Sequence, residues 1–371
     1  MKNLTENVKS FCKAQPVLVI AFIAALVTVF IIPPDREYAG YCNRTVLIQL
    51  FSLMTAVAGL RSTGIFERLT DIILKKSGYV RKLGLLFIVV CFFSSMLVTN
   101  DVALITFVPL TILTFENIKD EKSRIITIVL ETAAANLGSM MTPVGNPQNL
   151  YLYDTYGLTA FEFVKTMLPA GILSIILLIL LTFFLPKIQC KAHENEISAI
   201  NTKTACAYGV LFIICLMTVF RVIPDYICLL SAVIIALVFD RKLLVKVDYA
   251  LLLTFVCFFV FVGNISRIET VRDFFSGILS GREVIISALL SQVISNVPAA
   301  VMLSGFTDEG LKLLLGVNIG GLGTLIASLA SLISYQFYRK SEGAQSGRYM
   351  IIFSAVNFSM LAIMLVFSMI I

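Results

Sequence analysis

Apolar runs alternate with short charged segments along the whole chain. Nine runs are long enough, or nearly so, to cross a bilayer as helices of about 20 residues. They occupy roughly 17–33, 45–60, 125–153, 167–186, 204–222, 226–239, 249–265, 308–334 and 349–371, and the runs at 125–153 and 308–334 are interrupted by polar and small residues. Two further stretches, 83–116 and 283–306, hold a polar break at their middle: Thr99-Asn100-Asp101 in the first, Ser295-Asn296 followed by Pro298 in the second. Legs of about 12–16 residues rise only about 18–24 Å, short of the roughly 30 Å hydrocarbon core. Each stretch therefore predicts a re-entrant helical hairpin, and the pattern as a whole predicts an all-α polytopic membrane protein with about nine full spans plus two hairpins.

Loop charges orient these elements. Segment 61–82 carries Arg61, Arg68, Lys75, Lys76, Arg81 and Lys82, and 117–124 adds Lys119, Lys122 and Arg124. Both flank the first hairpin, and the excess of basic residues in cytoplasmic loops places both inside. Counting outward puts the N-terminus (Lys2, Lys9, Lys13), the linker 187–203 and the segments 240–248 and 335–348 inside as well. The second hairpin then opens outward and the C-terminus ends outside, in a cell (inner or plasma) membrane.

Composition agrees. Of 371 residues, 58% are apolar and only 14% charged, with no tryptophan, and the mean hydropathy is +0.93. Soluble domains carry about a quarter charged residues, so soluble, disordered, coiled-coil and disulfide-scaffold classes are excluded. The net charge of +6 sits in short loops with no nucleic-acid motif beside it. The scattered cysteines read as small buried hydrophobes, and Cys190 with His193, the only histidine, is too small a set for a metal. No GxSxG, HExxH or Walker string is present, so no enzyme or cofactor is expected.

The two halves repeat. Asn136-Leu-Gly138-Ser-Met-Met-Thr142 is answered by Asn318-Ile-Gly320-Gly-Leu-Gly-Thr324, and each string follows a hairpin tipped by an asparagine, Asn100 or Asn296. One connecting helix separates the halves, so they would insert with opposite orientation: residues 1–186 as a first inverted repeat (hairpin 83–116, broken helix 125–153), 187–225 as linker and connecting helix, and 226–371 as the second (hairpin 283–306, broken helix 308–334). Paired broken helices in inverted repeats point to a transporter with its site near the midplane.

Backbone left unpaired at such breaks persists only against protein or a water-filled cavity. Freed carbonyls with Asn100, Asn136 and Thr142 form an oxygen cage suited to Na⁺, and Ser295, Asn296, Asn318 and Thr324 form its counterpart. Helix N-termini that restart after each break suit an anion. Asp101 and Glu131 are intramembrane acids, which are costly unless used, and both are proton-coupling candidates; Asp101 also fits a fixed cation ligand, and Glu131 also fits a structural partner for a buried donor. Ser328, Ser331 and Ser334 either line a path or bond back to their own helix; the sequence leaves both open.

Val98-Thr-Asn-Asp-Val-Ala-Leu-Ile105, the string Thr142-Pro-Val-Gly145-Asn146-Pro147-Gln-Asn149 and Ser295-Asn-Val-Pro298-Ala together resemble the ion transporter superfamily. That superfamily includes citrate and dicarboxylate symporters, arsenite permeases and one type of sodium/proton antiporter. The resemblance implies a transport domain moving against a scaffold, commonly in a homodimer. It implies one cation site at Thr99, Asn100, Asp101, Asn136, Gly138 and Thr142 and a second at Ser295, Asn296, Asn318, Gly320 and Thr324. Substrate would lie between the tips, at Asn100, Gly145, Asn146, Asn149, Asn296 and Pro298. Dicarboxylate symporters carry Ser-Asn-Thr at both tips; Asp101 and Val297 stand in the third positions here, which is more similar to the arsenite-permease and antiporter branch, citrate transporter-like in fold.

The expected function is secondary active transport of a small inorganic or carboxylate anion, coupled to Na⁺ or H⁺, by alternating access. Na⁺/H⁺ antiport or arsenite/antimonite efflux is the alternative, and a passive channel fits the broken-helix symmetry less well.

Overall fold

The computed structural model describes residues 15–66, 68–69, 72, 78–118, 120–189 and 201–370. Lys2, Lys9, Lys13, Lys75, Lys76, Lys119, Cys190, His193 and most of the segment 66–76 lie outside the described residues. The principal helices are α1 (Pro16–Ile31), α2 (Arg44–Arg61), α3 (Val80–Val98), α4 (Asn100–Ile118), α5 (Glu121–Ser139), α6 (Pro147–Thr155), α7 (Ala160–Leu181) and α8 (Thr202–Val219). They continue with α9 (Asp225–Phe239), α10 (Tyr249–Ser266), α11 (Glu269–Leu279), α12 (Glu283–Ile294), α13 (Asn296–Ser304), α14 (Gly310–Ile319), α15 (Leu329–Lys340) and α16 (Ser346–Ser368). Among the described residues there is no strand, only an isolated bridge between Tyr79 and Gln189.

Side-chain caps set several helix starts. Asn43 accepts the Val46 N–H at 3.1 Å, Asp248 the Leu251 N–H at 2.9 Å, and Thr159 with Glu162 closes a capping box at the head of α7. That box explains why α7 begins seven residues before the apolar run at 167: its first two turns are amphipathic and do not read as a span. Large apolar side chains such as Phe22, Ile176, Ile213, Leu237 and Ile351 cover the outside. An apolar exterior around a packed interior is the surface of an integral, multi-pass membrane protein. By length and composition α3, α7 with its 3₁₀ extension to Phe184, α8, α10 and α16 can each cross a bilayer.

Neither hairpin stretch is an unbroken rod. Gly84 of α3 faces Thr127 of α5, and Phe92 and Ser95 face Gly138, so α3 runs in the same direction as α5. Asn100 pairs with Asn136 and Thr111 with Glu131, so α4 runs the opposite way. The chain therefore reverses at Thr99. Val80, Leu83, Phe87 and Phe115 close the base of this hairpin in their own small apolar cluster. Its legs are longer than the apolar pattern suggested: at 19 residues each they rise about 28 Å, because polar turns at both outer ends extend the helices past the apolar run. Pro109 within α4 leaves the Ile105 carbonyl without its helical donor, and Arg61 of α2 supplies one at 3.3 Å. The second hairpin has shorter legs of 12 and 9 residues. Its base is tied by Ser276 donating to the Phe306 carbonyl at 2.8 Å and by Phe275 stacked on Phe306.

Two groups of helices result. In one, α1 packs along α10, and α2 packs on α8 and α9, with Gly59 admitting the Tyr208 ring. In the other, the hairpins α3–α4 and α12–α13 lie against the broken helices α5–α6 and α14–α15, buttressed by α7 and α16. The groups meet where α6 touches α2 and where α13 touches α10.

Candidate functional site

The hairpin tips share an unusual backbone. Thr99 sits at φ 70°, ψ 152° and Ser295 at φ 77°, ψ 155°, a region populated almost only by glycine. A side chain held there costs about 1–3 kcal/mol and persists where the surroundings over-determine it. The surroundings are equally matched. Asn100 N–H donates to the Gly145 carbonyl at 3.3 Å, and Asn296 N–H to the Ala327 carbonyl at 2.9 Å. The Thr142 hydroxyl donates to the Met96 carbonyl, and Thr324 to that of Gln292 at 3.0 Å. Gly138 lies against Phe92 and Ser95, Gly320 against Ala288 and Ser291. Each of these three contacts of the first half has its counterpart in the second.

The asparagines of the repeated string cross between halves. Asn136 accepts through Oδ1 from Asn100 at 3.0 Å and from Ser328 at 2.9 Å, and its Nδ2 lies 3.4 Å from both Ser331 Oγ and the Gly321 carbonyl. Asn318 donates to Asn149 Oδ1 at 2.7 Å. Of the three serines left open by the sequence, Ser328 and Ser331 thus face Asn136, while Ser334 Oγ is buried without a partner.

A cleft opens between the tips. The first half lines it with Asn100, Asp101, Asn146, Pro147 and Gln148, the second with Asn296, Val297, Ser328 and Leu329, and Leu251 enters from α10. Helices α4, α6, α13 and α15, all of which restart after a break, begin at this cleft. Their N-termini bring partial positive charge to it. No Lys or Arg lines it, and Asp101 is its one charged residue. Asn146 Oδ1 and Gln148 Nε2 are buried without a partner, both in residues no more than 2% exposed. Such atoms cost free energy unless a ligand or water engages them.

The expected site residues therefore divide. Asn100, Asp101, Asn146 and Asn296 face the cleft. Gly145, Asn149 and Pro298 stand behind it: Gly145 receives the Asn100 N–H, Asn149 donates to the Ser139 and Thr142 carbonyls at 3.1 and 3.0 Å, and Pro298 is buried in α13. Thr99, Asn136, Thr142, Ser295, Asn318 and Thr324 form the shell that holds the tips, and Gly138 and Gly320 are where the helices approach most closely. Glu131 lies apart from the cleft. Among the described residues no group of three or more His, Cys, Asp or Glu could hold a metal ion. Gln148 and Gln292 were not singled out by the pattern, although a lone amide in an apolar stretch is a usable signal. Gln292 fills the second break, donating to the Gly320 and Leu322 carbonyls at 2.9 Å each and accepting the Thr324 N–H at 2.9 Å. Leu251 carried no signal at all.

Comparison with known proteins gives a consistent picture. The citrate transporter family model matches residues 8–308. The chain is 36% identical over 313 residues to the uncharacterized transporter MJ0456 of Methanocaldococcus jannaschii, covering 82% of this chain and 84% of that protein. It is 31% identical over 314 residues to the inner membrane protein YbiR of Escherichia coli, covering 82% and 83%. A shorter match, 29% over 167 residues, reaches 43% of this chain and 29% of the putative transporter arsB of Dictyostelium discoideum. Among solved structures, the Alcanivorax borkumensis YdaH transporter superposes with a TM-score of 0.57 at 14% identity, covering 89% of this chain and 85% of that one; at that identity the likeness speaks to the fold.

Proposed function

We propose, from the premise that this chain belongs to the citrate transporter family, that it is a secondary active transporter moving a small inorganic or carboxylate anion by alternating access, coupled to Na⁺ or H⁺. The observation that carries this reading is the convergence of four helix N-termini on one cleft that no basic side chain lines. Such an arrangement suits an anion held by N–H groups and dipoles, with Asn100, Asn146, Gln148 and Asn296 as its polar contacts.

Asp101 in an anion cradle has one electrostatic consequence. A bare carboxylate would repel the substrate, so a proton or cation must accompany the anion, and that requirement is a coupling device. The cation sites proposed are Thr99, Asn100, Asp101, Asn136, Gly138 and Thr142 in the first half and Ser295, Asn296, Asn318, Gly320 and Thr324 in the second. Reciprocal contacts, Asn136 with Ser331 and Asn318 with Asn149, are the pattern of a two-fold axis. They support reading residues 1–186 and 226–371 as inverted repeats around a linker and connecting helix, with nine spans and two hairpins, the N-terminus inside and the C-terminus outside. The group holding hairpins and broken helices would move against the group of α1, α2 and α8–α10, whose Leu251 closes one wall of the cleft. A homodimer built on that scaffold completes the reading. Asp101 also favours a second one, cation/proton exchange or arsenite efflux.

Uptake into proteoliposomes, with and without an imposed Na⁺ or H⁺ gradient, tests it. Gradient-driven anion accumulation that is lost in Asp101→Asn is the expected result. Flux indifferent to both gradients, and unchanged in Asp101→Asn, would overturn coupling at this residue. Sodium- or arsenite-dependent rescue of a sensitive host, without anion uptake, would select the second reading.

A further inference from the structure

Glu131 is a fully buried acid that the cleft does not use. It lies on α5, and its Oε1 accepts the Thr111 hydroxyl at 2.7 Å. Oε2 is equally buried and has no partner. Arg124, two turns earlier on the same helix, is taken by Glu116 at 3.5 Å, Glu121 at 2.5 Å and the Glu342 carbonyl at 2.8 Å. The other titratable groups around Glu131 are a thiol and phenols: Cys91 from α3, and Tyr349 from α16 with Tyr338 stacked on it and Tyr335 tilted against it. The Tyr349 hydroxyl is itself unpartnered. A carboxylate here would leave one oxygen's charge uncompensated in a low-dielectric interior, and a proton removes that charge.

The fold does not need an acid at this place. Counting back five residues from the matched asparagines leads to Glu131 in the first half and to Leu313, fully buried, in the second. Nor is the contact remote from moving parts. Thr111 belongs to α4, which begins at the tip residues Asn100 and Asp101, and Glu131 shares α5 with Asn136, the residue that grips that tip. The Thr111 bond is the single hydrogen bond to the charged form, so any shift of the hairpin along α5 changes what the ionised state costs.

We propose that Glu131 is a second proton-binding site, separate from the cleft, whose protonation is linked to the position of the first hairpin through Thr111. Its part in a transport cycle rests on the function proposed above; the proton site itself does not.

Infrared spectroscopy of the purified protein tests the site without knowledge of the substrate. A carboxylic-acid carbonyl band that responds to pH, vanishes in Glu131→Gln and survives in Asp101→Asn, is the expected result. The amide of Glu131→Gln still accepts from Thr111, so folding should be retained; Thr111→Val, which keeps the acid and removes its partner, should shift the band and its midpoint. No titrating band that depends on Glu131 would overturn the proposal. An unchanged pH profile of transport in Glu131→Gln would overturn the linkage to the cycle. A Glu131 band that titrates in a protein moving no anion would uphold the site and sink the transport reading alone.

Discussion

Asn318 in one half of the molecule donates its side-chain amide to Asn149 Oδ1 in the other at 2.7 Å, while the same amide also reaches the Leu314 carbonyl at 2.8 Å. Both residues are buried. Removing the donor leaves an acceptor stranded away from water, which costs about 1–3 kcal/mol. Asn318→Ala is therefore expected to lower the unfolding temperature of the purified protein clearly. Asn136→Ala should do so at least as strongly, because it strands partners in both halves. If either variant melts with the parent, the cross-half asparagines do not hold the halves together.

Thr99 makes the opposite prediction. Its φ of 70° and ψ of 152° suit glycine, so the threonine at this helix end is held under backbone strain. Thr99→Gly should raise thermal stability by about 1 kcal/mol, the low end of the cost of holding a side chain in that region. The same variant should impair gradient-driven uptake if the tip geometry must be held rigidly. A loss of stability would mean that the threonine side chain supports the tip in a way its backbone conformation does not reveal.

Glycines supply a built-in comparison. A Cβ at Gly138 would strike the Phe92 carbonyl and Ser95, and one at Gly320 the backbone of Ala288, whereas one at Gly209 on α8 meets nothing. Gly138→Ala and Gly320→Ala should each cost about 1–3 kcal/mol through overpacking. Gly209→Ala should be neutral or stabilise by up to about 1 kcal/mol through helix propensity. Thermal melts of the three variants side by side read this directly.

Gln148 lines the cleft, and its buried amide nitrogen has no partner. Gln148→Ala should raise KM for the transported anion about 10- to 150-fold, the range of one lost hydrogen bond to a charged group, and leave the melting temperature of the ligand-free protein unchanged. Equal KM values for the two proteins would remove Gln148 from the substrate site.

Outside the bilayer, Arg267 ties the α1–α2 connection to the end of α10, binding Asp35 at 2.7 Å, Glu37 at 3.2 Å and the Tyr41 hydroxyl at 2.9 Å. The bond from Arg267 holds the Asp35 carboxyl below its ordinary value. A carboxylate depressed in the folded state contributes stability that is fully present above the unfolded value near pH 4 and disappears as pH falls through the folded value. Between about pH 5 and 8 this pair should add no pH dependence to the melting temperature, and Asp35→Asn should differ from the parent in the slope of its acid limb.

Hydropathy and composition by themselves determined the class of protein, the approximate helices, the two polar breaks and the repeated Asn-x-Gly-x-x-x-Thr strings. They could do so because lipid imposes a local demand: each run of about 20 residues must satisfy its own backbone, and each break in it stands out. What the pattern misjudged lay where that demand fades, as in the outer turns that lengthen α3 and α4 and the amphipathic start of α7. Only the tertiary structure decided which polar side chains face the cleft. Asn146 and Asn149 sit three residues apart in one short string, yet one lines the cleft and the other is turned behind it to Asn318. Gly138 and Gly320 stand out by motif, and only geometry shows that the hairpins approach closely there, while Leu251 arrives from a helix with no polar mark. These outcomes depend on α4 folding back along α5, and on the second half's broken helix reaching the first half's asparagine. Such contacts join residues far apart in the chain, and no local rule of spacing or periodicity encodes them.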